Sequence, residues 1–226
     1  GLFAPIDDVW AANGLNETLA SAAGSMTIDG HKWGIPYTYY QWGVYYRKDI
    51  FADLGIDVPM NWEEFLAAGA TLNANGITPI TIGTKYLWTA GGVFDYLNLR
   101  TNGYDFHMAL TKGEIAWTDD RVRATMANWL ELIEADFFLE NHAAYSWQEA
   151  LPPMVRGEAA MYIMGNFVVA PLREAGLTDD QLGFFQFPEI TPGIALAEDA
   201  PTDTVHLTAN AKNPVDAKRF LAYLAR

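Results

Sequence analysis

Apolar positions along the chain fall into two patterns. Val44–Tyr46, Pro79–Ile82, Ala159–Met164 and Gly183–Phe187 are short apolar runs closed by turn residues, and they read as buried strands. Between them lie helical stretches. Val9–Ala22 is one, started by Pro5-Ile6-Asp7-Asp8 and ended at Gly24. Ile50–Leu54 is a short helix stopped by Gly55. Asn61 with Glu64 three residues on is an N-cap signature, and the helix it opens buries Trp62, Phe65, Leu66 and Leu72. Val93–Arg100 continues as helix to Asn102-Gly103, and Asp105–Gly113 reads as a surface excursion holding His107. Thr118 is the expected cap of a helix with the stripe Val122, Met126, Trp129, Leu130 and Ile133. Ser146 with Glu149 forms another capping box, after which Pro152-Pro153 demand a break or a restart. Ile190–Asp203 reads as a crossing linker, Thr204–Thr208 as a returning strand, and Asn213-Pro214 as the start of a last helix whose apolar side is Val215, Phe220, Leu221 and Leu224. Strands alternating with helices predict an α/β fold.

One stretch departs from what packing alone requires. In GHKWGIPYTYYQWGVYYRKDIF, from Gly30 to Phe51, a strand-like piece around Trp33 is broken by Gly34 and Pro36. Six aromatics then crowd into the ten positions Tyr37–Tyr46 before Arg47-Lys48-Asp49 return the chain to the surface. Any one of these rings is equally compatible with core. Together, Tyr39, Tyr40, Gln41 and Trp42 suit a wet cleft that grips something part apolar and part hydroxylated. Trp88, between a strand end and Gly91-Gly92, sits where α/β sheets place ligands, although a core position at a helix start is the alternative. Asp95 is suited to accept a proton from a ligand hydroxyl, or is simply a solvated helix carboxylate. Gly165-Asn166-Phe167 turns a strand into a helix N-terminus, a ligand-end geometry.

The segments GHKWGIPY, VYYRKDIFADLGIDVPMNWEEF and GEAAMYIMGNF, in that order and spacing, resemble the extracellular solute-binding proteins of ABC importers. The resemblance is to the carbohydrate-binding group that includes maltose-binding protein, and it runs over residues 1–226. It implies a two-lobe periplasmic-binding-protein fold with hinge crossings. The first lobe would be incomplete, built from residues 1–37 and 193–226, with the second spanning 38–192. It implies capture of a sugar or oligosaccharide by hinge closure, and delivery by a monomer to the membrane subunits of a transporter. The setting would be periplasmic or extracellular, a cell-envelope lipoprotein in a Gram-positive host. The expected ligand-binding residues are Tyr39, Tyr40, Gln41, Trp42, Trp88, Asp95, Asn166, Phe167 and His206, the last on the returning strand. Phe167 stands where maltose-binding protein has a sugar-stacking Trp, which keeps the π-face and loses the indole donor. Pro152-Pro153 depart from the family's smooth run into the Gly-Glu-Ala-Ala-Met motif, which leaves the placing of Trp147 open. The chain starts at Gly1 as though inside a fold and is expected to be a fragment.

Composition narrows the partners. The 226 residues carry 14 basic and 28 acidic side chains, a formal charge of -14. That argues against nucleic acid and anionic membranes, and leans the ligand toward neutral or cationic. With no cysteine there is no disulfide, thiolate metal site or cysteine nucleophile. His31, His107, His142 and His206 have no metal-ligand spacing, and no P-loop, dinucleotide fingerprint or nucleophile elbow is present, so no metal, cofactor or catalytic residue is expected. Two other readings stay open: a binding protein for a polyamine or polyol, and a sugar-cleaving enzyme whose carboxylate pair sequence cannot mark.

Overall fold

The computed structural model describes residues Gly1–Arg226. Its strands are β1 (Thr27–Ile28), β2 (His31–Lys32), β3 (Ile35–Tyr39), β4 (Trp42–Arg47), β5 (Thr78–Ile80), β6 (Ala159–Gly165), β7 (Leu182–Phe185) and β8 (Thr202–Val205). Its helices are α1 (Asp7–Ala12), α2 (Leu15–Thr18), α3 (Ala20–Ala23), α4 (Lys48–Leu54), α5 (Trp62–Ala74), α6 (Trp88–Asn102), α7 (Tyr104–Thr111), α8 (Asp120–Glu134), α9 (Leu151–Arg156), α10 (Val169–Glu174) and α11 (Pro214–Leu224). No helix is long and apolar enough to cross a membrane. The α/β alternation expected from the sequence is present, divided into two compact units: Gly1–Tyr40 with Ala200–Arg226, and Gln41–Asp199.

The first unit is small. Its core gathers Ile6, Val9, Trp10, Leu15, Met26, Ile35, Leu207 and Leu221. Trp10 is buried with its indole N–H donated to the Gly34 carbonyl at 3.0 Å, so its polar atom is satisfied. β3 pairs with β8 antiparallel, with a register shift between Pro36 and Thr38. Pro36 therefore does not break the strand. The two strands pair only with each other, so each is an edge strand, where proline is tolerated.

In the second unit β5, β6, β4 and β7 form a sheet in that order. β5 and β6 are parallel, and β4 is antiparallel to both β6 and β7. β6 is buried along its whole length, as its unbroken apolar sequence AAMYIMG requires of a strand covered on both faces. Against the sheet, Phe65 meets Phe137 and Phe187 at 5.5 Å each, and Tyr96 stacks on Phe187 at 5.2 Å and 17°. The Asn61 cap is present as expected: its side-chain oxygen accepts the Glu64 N–H at 3.0 Å, and Glu64 reaches back to the Met60 N–H.

Several local expectations need correction. The N-terminal helix is broken into α1, α2 and α3, because Gly14 takes a left-handed conformation (φ 64°) that starts a new turn. Residues around His107 are helical, since Phe106 and Leu110 bury a face of α7. α8 is capped by Asp119 rather than Thr118: the Asp119 carboxylate accepts the Arg121 N–H at 2.9 Å. Its buried face is Val122, Thr125 and Leu132, while Met126, Leu130 and Ile133 are exposed. The buried Thr125 supplies hydrogen bonds to α6 that an apolar-stripe count does not register. α11 likewise buries Leu221 and leaves Val215 and Phe220 outside.

Arg47 does not end its strand at the surface. It is buried, with its guanidinium on the Asp49 carboxylate (2.8 and 2.6 Å) and on the Met154 carbonyl at 2.7 Å. The Arg47 hydrogen bonds and, secondarily, Gln181 hold the Asp49 carboxyl down at about 2 against the cost of its burial. Arg47→Met keeps the volume and removes every donor. It is expected to cost about 2–3 kcal/mol, the size of lost charge-assisted bonds, read as a lower urea midpoint at unchanged m-value.

Candidate functional site

The site is built at one end of the sheet of the second unit. The carboxyl ends of parallel β5 and β6 lie there, and so does the first residue of antiparallel β4, because Trp42 pairs with Gly165. α/β sheets bind ligands outside such strand ends. Three chain segments deliver rings to it. Trp42 opens β4, Trp88 opens α6 after β5, and Phe167 lies in the 3-10 turn Asn166–Val168 after β6. Trp42 meets Trp88 at 5.9 Å and 89°, and Phe167 at 6.4 Å and 84°; Trp88 meets Phe167 at 6.3 Å. A fourth ring, Trp147, stands edge-on to Phe167 at 5.4 Å and 74°. The Pro152-Pro153 break does not displace it: α9 restarts at Leu151 with proline in its first turn.

Local structure explains how the rings are held. Leu87 has φ 65°, a left-handed conformation rare for a branched residue, and its carbonyl accepts the N–H groups of Ala90 and Gly91. That turn brings Trp88 in at the start of α6. The Thr89 hydroxyl donates to the Gly83 carbonyl at 2.6 Å and pins the loop after β5. Gly83 passes so close to the Ser146 carbonyl that a Cβ there would lie 2.1 Å from it, which is how the Trp147 segment comes alongside. Gly92 performs the same service for Trp42: a Cβ would stand 2.3 Å from the ring. Asn166 donates its backbone N–H to the Gln41 carbonyl at 3.0 Å. Trp42 is 5% exposed and its indole N–H finds no acceptor in the protein, whereas Trp88 is 41% exposed. The wall therefore offers open π-face at Trp88, over an enclosed Trp42.

The sequence-derived candidates separate into three groups. Trp42, Trp88 and Phe167 come together, and Gln41 and Asn166 join through their backbones at the wall's edge. Tyr39, Tyr40 and His206 belong to the first unit. Tyr39 is exposed and lines a groove of about 570 Å³ with Tyr37, Pro36 and Leu19. The Tyr40 hydroxyl reaches Asp203 at 3.3 Å. His206 has both ring nitrogens engaged, with the Thr204 hydroxyl and the Trp33 carbonyl at 2.7 Å each, and it stacks on Phe3. Asp95 lies two turns after Trp88 on α6, with its carboxylate 3.8 Å from His107 Nε2 and interacting with Asp199, whose carbonyl accepts the Trp42 N–H. No group of residues is arranged to hold a metal ion. Trp147 is the member sequence reasoning left unplaced; the capping box at Ser146 was the signal that a fixed turn precedes it.

A profile of the bacterial extracellular solute-binding protein family matches residues 1–226. The chain belongs to that family. An uncharacterized ABC transporter extracellular-binding protein of Pyrococcus horikoshii is 28% identical over 225 residues, covering 97% of this chain and 49% of its own. The multiple sugar-binding protein of Streptococcus mutans is 23% identical over 216 residues, 93% of this chain and 51% of its own. Among solved structures, the bacterial solute receptor AcbH, described as preferring β-D-galactopyranose, superposes with TM-score 0.85 at 35% identity over 100% of this chain and 57% of its own. A chitin oligosaccharide binding protein superposes with TM-score 0.86 at 24% identity, over 100% and 56%, which speaks to fold alone. The chain thus spans about half the length of the curated relatives it matches. It has the two-lobe binding-protein fold expected, with the first lobe incomplete relative to these structures.

Burial pushes the Asp95 carboxyl up to about 6. Burial, then repulsion from Asp95 and Glu198, pushes Asp199 up to about 6 as well. His107 is lowered by burial. A carboxyl raised in the fold binds its proton more tightly there than in the unfolded chain. The pair therefore destabilises the protein when ionised above about pH 6, and that penalty fades as pH falls toward 4. His107 acts oppositely, so the clean test is a difference. Asp95→Asn should raise Tm at pH 7.5 by about 2–4 °C, after discounting for the solvent exposure of Asp95, and the gain should vanish by about pH 4.5. A gain independent of pH would count against charge as its source.

Proposed function

We propose that this chain is the greater part of the ligand-capturing body of an extracellular solute-binding protein, and that its solute is a sugar or oligosaccharide delivered to the membrane subunits of an ABC importer. The observation that carries this is the aromatic wall. Trp42, Trp88, Trp147 and Phe167 converge at the strand ends, and Trp88 leaves an indole face exposed. Stacking rings suit the C–H faces of a pyranose. The sugar-directed names of the S. mutans relative and of AcbH support the same ligand class. Tyr39, Tyr40 and His206 are proposed as further ligand contacts, with a monomer as the working form and the cell envelope or exterior as its place. Lipid anchoring in a Gram-positive host belongs to the same reading.

No covalent step is proposed. The raised carboxyls Asp95 and Asp199 interact with each other, and product analysis is what separates a binding protein from a glycosidase here. A polyamine would need carboxylates among the rings, and it is the rival solute for the screen that follows.

A thermal-shift screen on the longest available polypeptide carrying this sequence, against mono- and oligosaccharides, polyols and polyamines, tests the ligand class. A Tm rise with a sugar and no product is expected. A rise accompanied by cleavage would replace the reading with an enzyme, and a response to polyamines alone would change the solute. With the responding sugar, Trp88→Ala should weaken binding at least about fivefold, ~1 kcal/mol, without lowering Tm in the absence of ligand. Unaltered affinity would remove Trp88 from the site.

A further inference from the structure

Residues at the two points where the chain passes between its units are tied to one another by a buried side-chain network on α6. The units divide at Tyr40/Gln41 and at Asp199/Ala200. Just inside the second unit, the Trp42 N–H donates to the Asp199 carbonyl at 2.9 Å. The Trp42 carbonyl lies 2.6 Å from the Tyr96 hydroxyl, and the same hydroxyl lies 2.8 Å from Glu198 Oε2. One phenolic proton thus serves an acceptor on each passing segment. The second Glu198 oxygen takes the Arg100 guanidinium at 2.6 Å. Arg100 is wholly buried, and its other two guanidinium nitrogens donate to the same returning segment, to Phe187 O at 2.8 Å and to Ala197 O. Thr191 closes the set from the far side, its N–H on the Arg100 carbonyl at 3.1 Å and its hydroxyl on Thr101 O at 3.1 Å.

The network begins at the residue whose ring forms the aromatic wall. Both backbone polar groups of Trp42 are bound to the fastening, and its ring rests on Gly92 of the same helix. We infer that Tyr96, with Arg100 and Glu198, is a positioning device: it holds Trp42 in the wall and fastens both chain crossings together at one point, so that the ring and the crossings move as one piece. The link to ligand capture rests on the function proposed above. The fastening itself does not, and it is tested without ligand.

Tyr96→Phe keeps the ring stack on Phe187 and deletes only the hydroxyl. Hydrogen–deuterium exchange on the whole chain should show about tenfold faster exchange in peptides covering both 38–44 and 197–205, the loss expected for one hydrogen bond to a carboxylate. Peptides from β6 and α8 should be unaltered. The near-ultraviolet circular dichroism of the tryptophans should change with it, as the wall loosens. Faster exchange at only one crossing, or at neither, would overturn the inference, as would uniform acceleration across the chain. Should Tyr96→Phe fail to fold, Glu198→Gln decides on the same readout, because it weakens the Arg100 and Tyr96 contacts while retaining the side chain's size.

Discussion

The interaction on which the second unit depends is the burial of the Arg100 guanidinium. A cation with no exposed surface must be matched by acceptors, because an unpaired charge in a dry interior is costly. Each of the three guanidinium nitrogens of Arg100 has one, from the Glu198 carboxylate and the carbonyls of Phe187 and Ala197. All of these lie on the chain between β7 and β8, a stretch with no regular secondary structure. The path of that stretch is thus set by where α6 puts a charge. The same helix carries Trp88 at its start and Gly92 under Trp42, so ring wall and return path share one rigid support.

The polar spine of α6 goes further than Arg100. Asn102 spends its amide hydrogens on Asn98 Oδ1, Thr125 Oγ1 and the Arg121 carbonyl, so Asn98 presents its own amide nitrogen to His107 Nδ1 at 3.0 Å. Nδ1 is then the acceptor, and Nε2 carries the hydrogen toward Asp95. A second proton on His107 would face the Asn98 donor. In acid, therefore, the proton in this neighbourhood goes to Asp95, in keeping with its raised pKa and the lowered one of His107.

What the sequence revealed, and what it hid, follows from how far each signal reaches. β6, the Asn61 cap and the segment around Trp88 were legible because each is written in adjacent residues: an unbroken apolar run, a cap with its partner three positions on, a tryptophan between a strand and paired glycines. The rings of Trp42, Trp88 and Phe167 could be nominated from their places at strand ends. Arg47 was misjudged because its partners are carbonyls more than 100 positions away, at Met154 and Val155, and carbonyls leave no mark in a sequence. The face of α8 was misjudged because a buried threonine, bonded to Asn98 and Asn102, takes a place that hydrophobicity assigns to methionine.

The contrast between Trp42 and Trp88 bears on how the wall can change. Trp42 is enclosed, its ring so close to Gly92 that even a methyl group there would collide with it. Trp88 shows 41% of its surface. Any side chain at position 92 would therefore act on Trp42 through the backbone of α6, whereas a change at position 88 alters the open face and leaves the packing beneath it in place. The wall thus has a fixed layer and a replaceable one, and its recognition properties can drift at the outer ring without unsettling the sheet that carries the inner one.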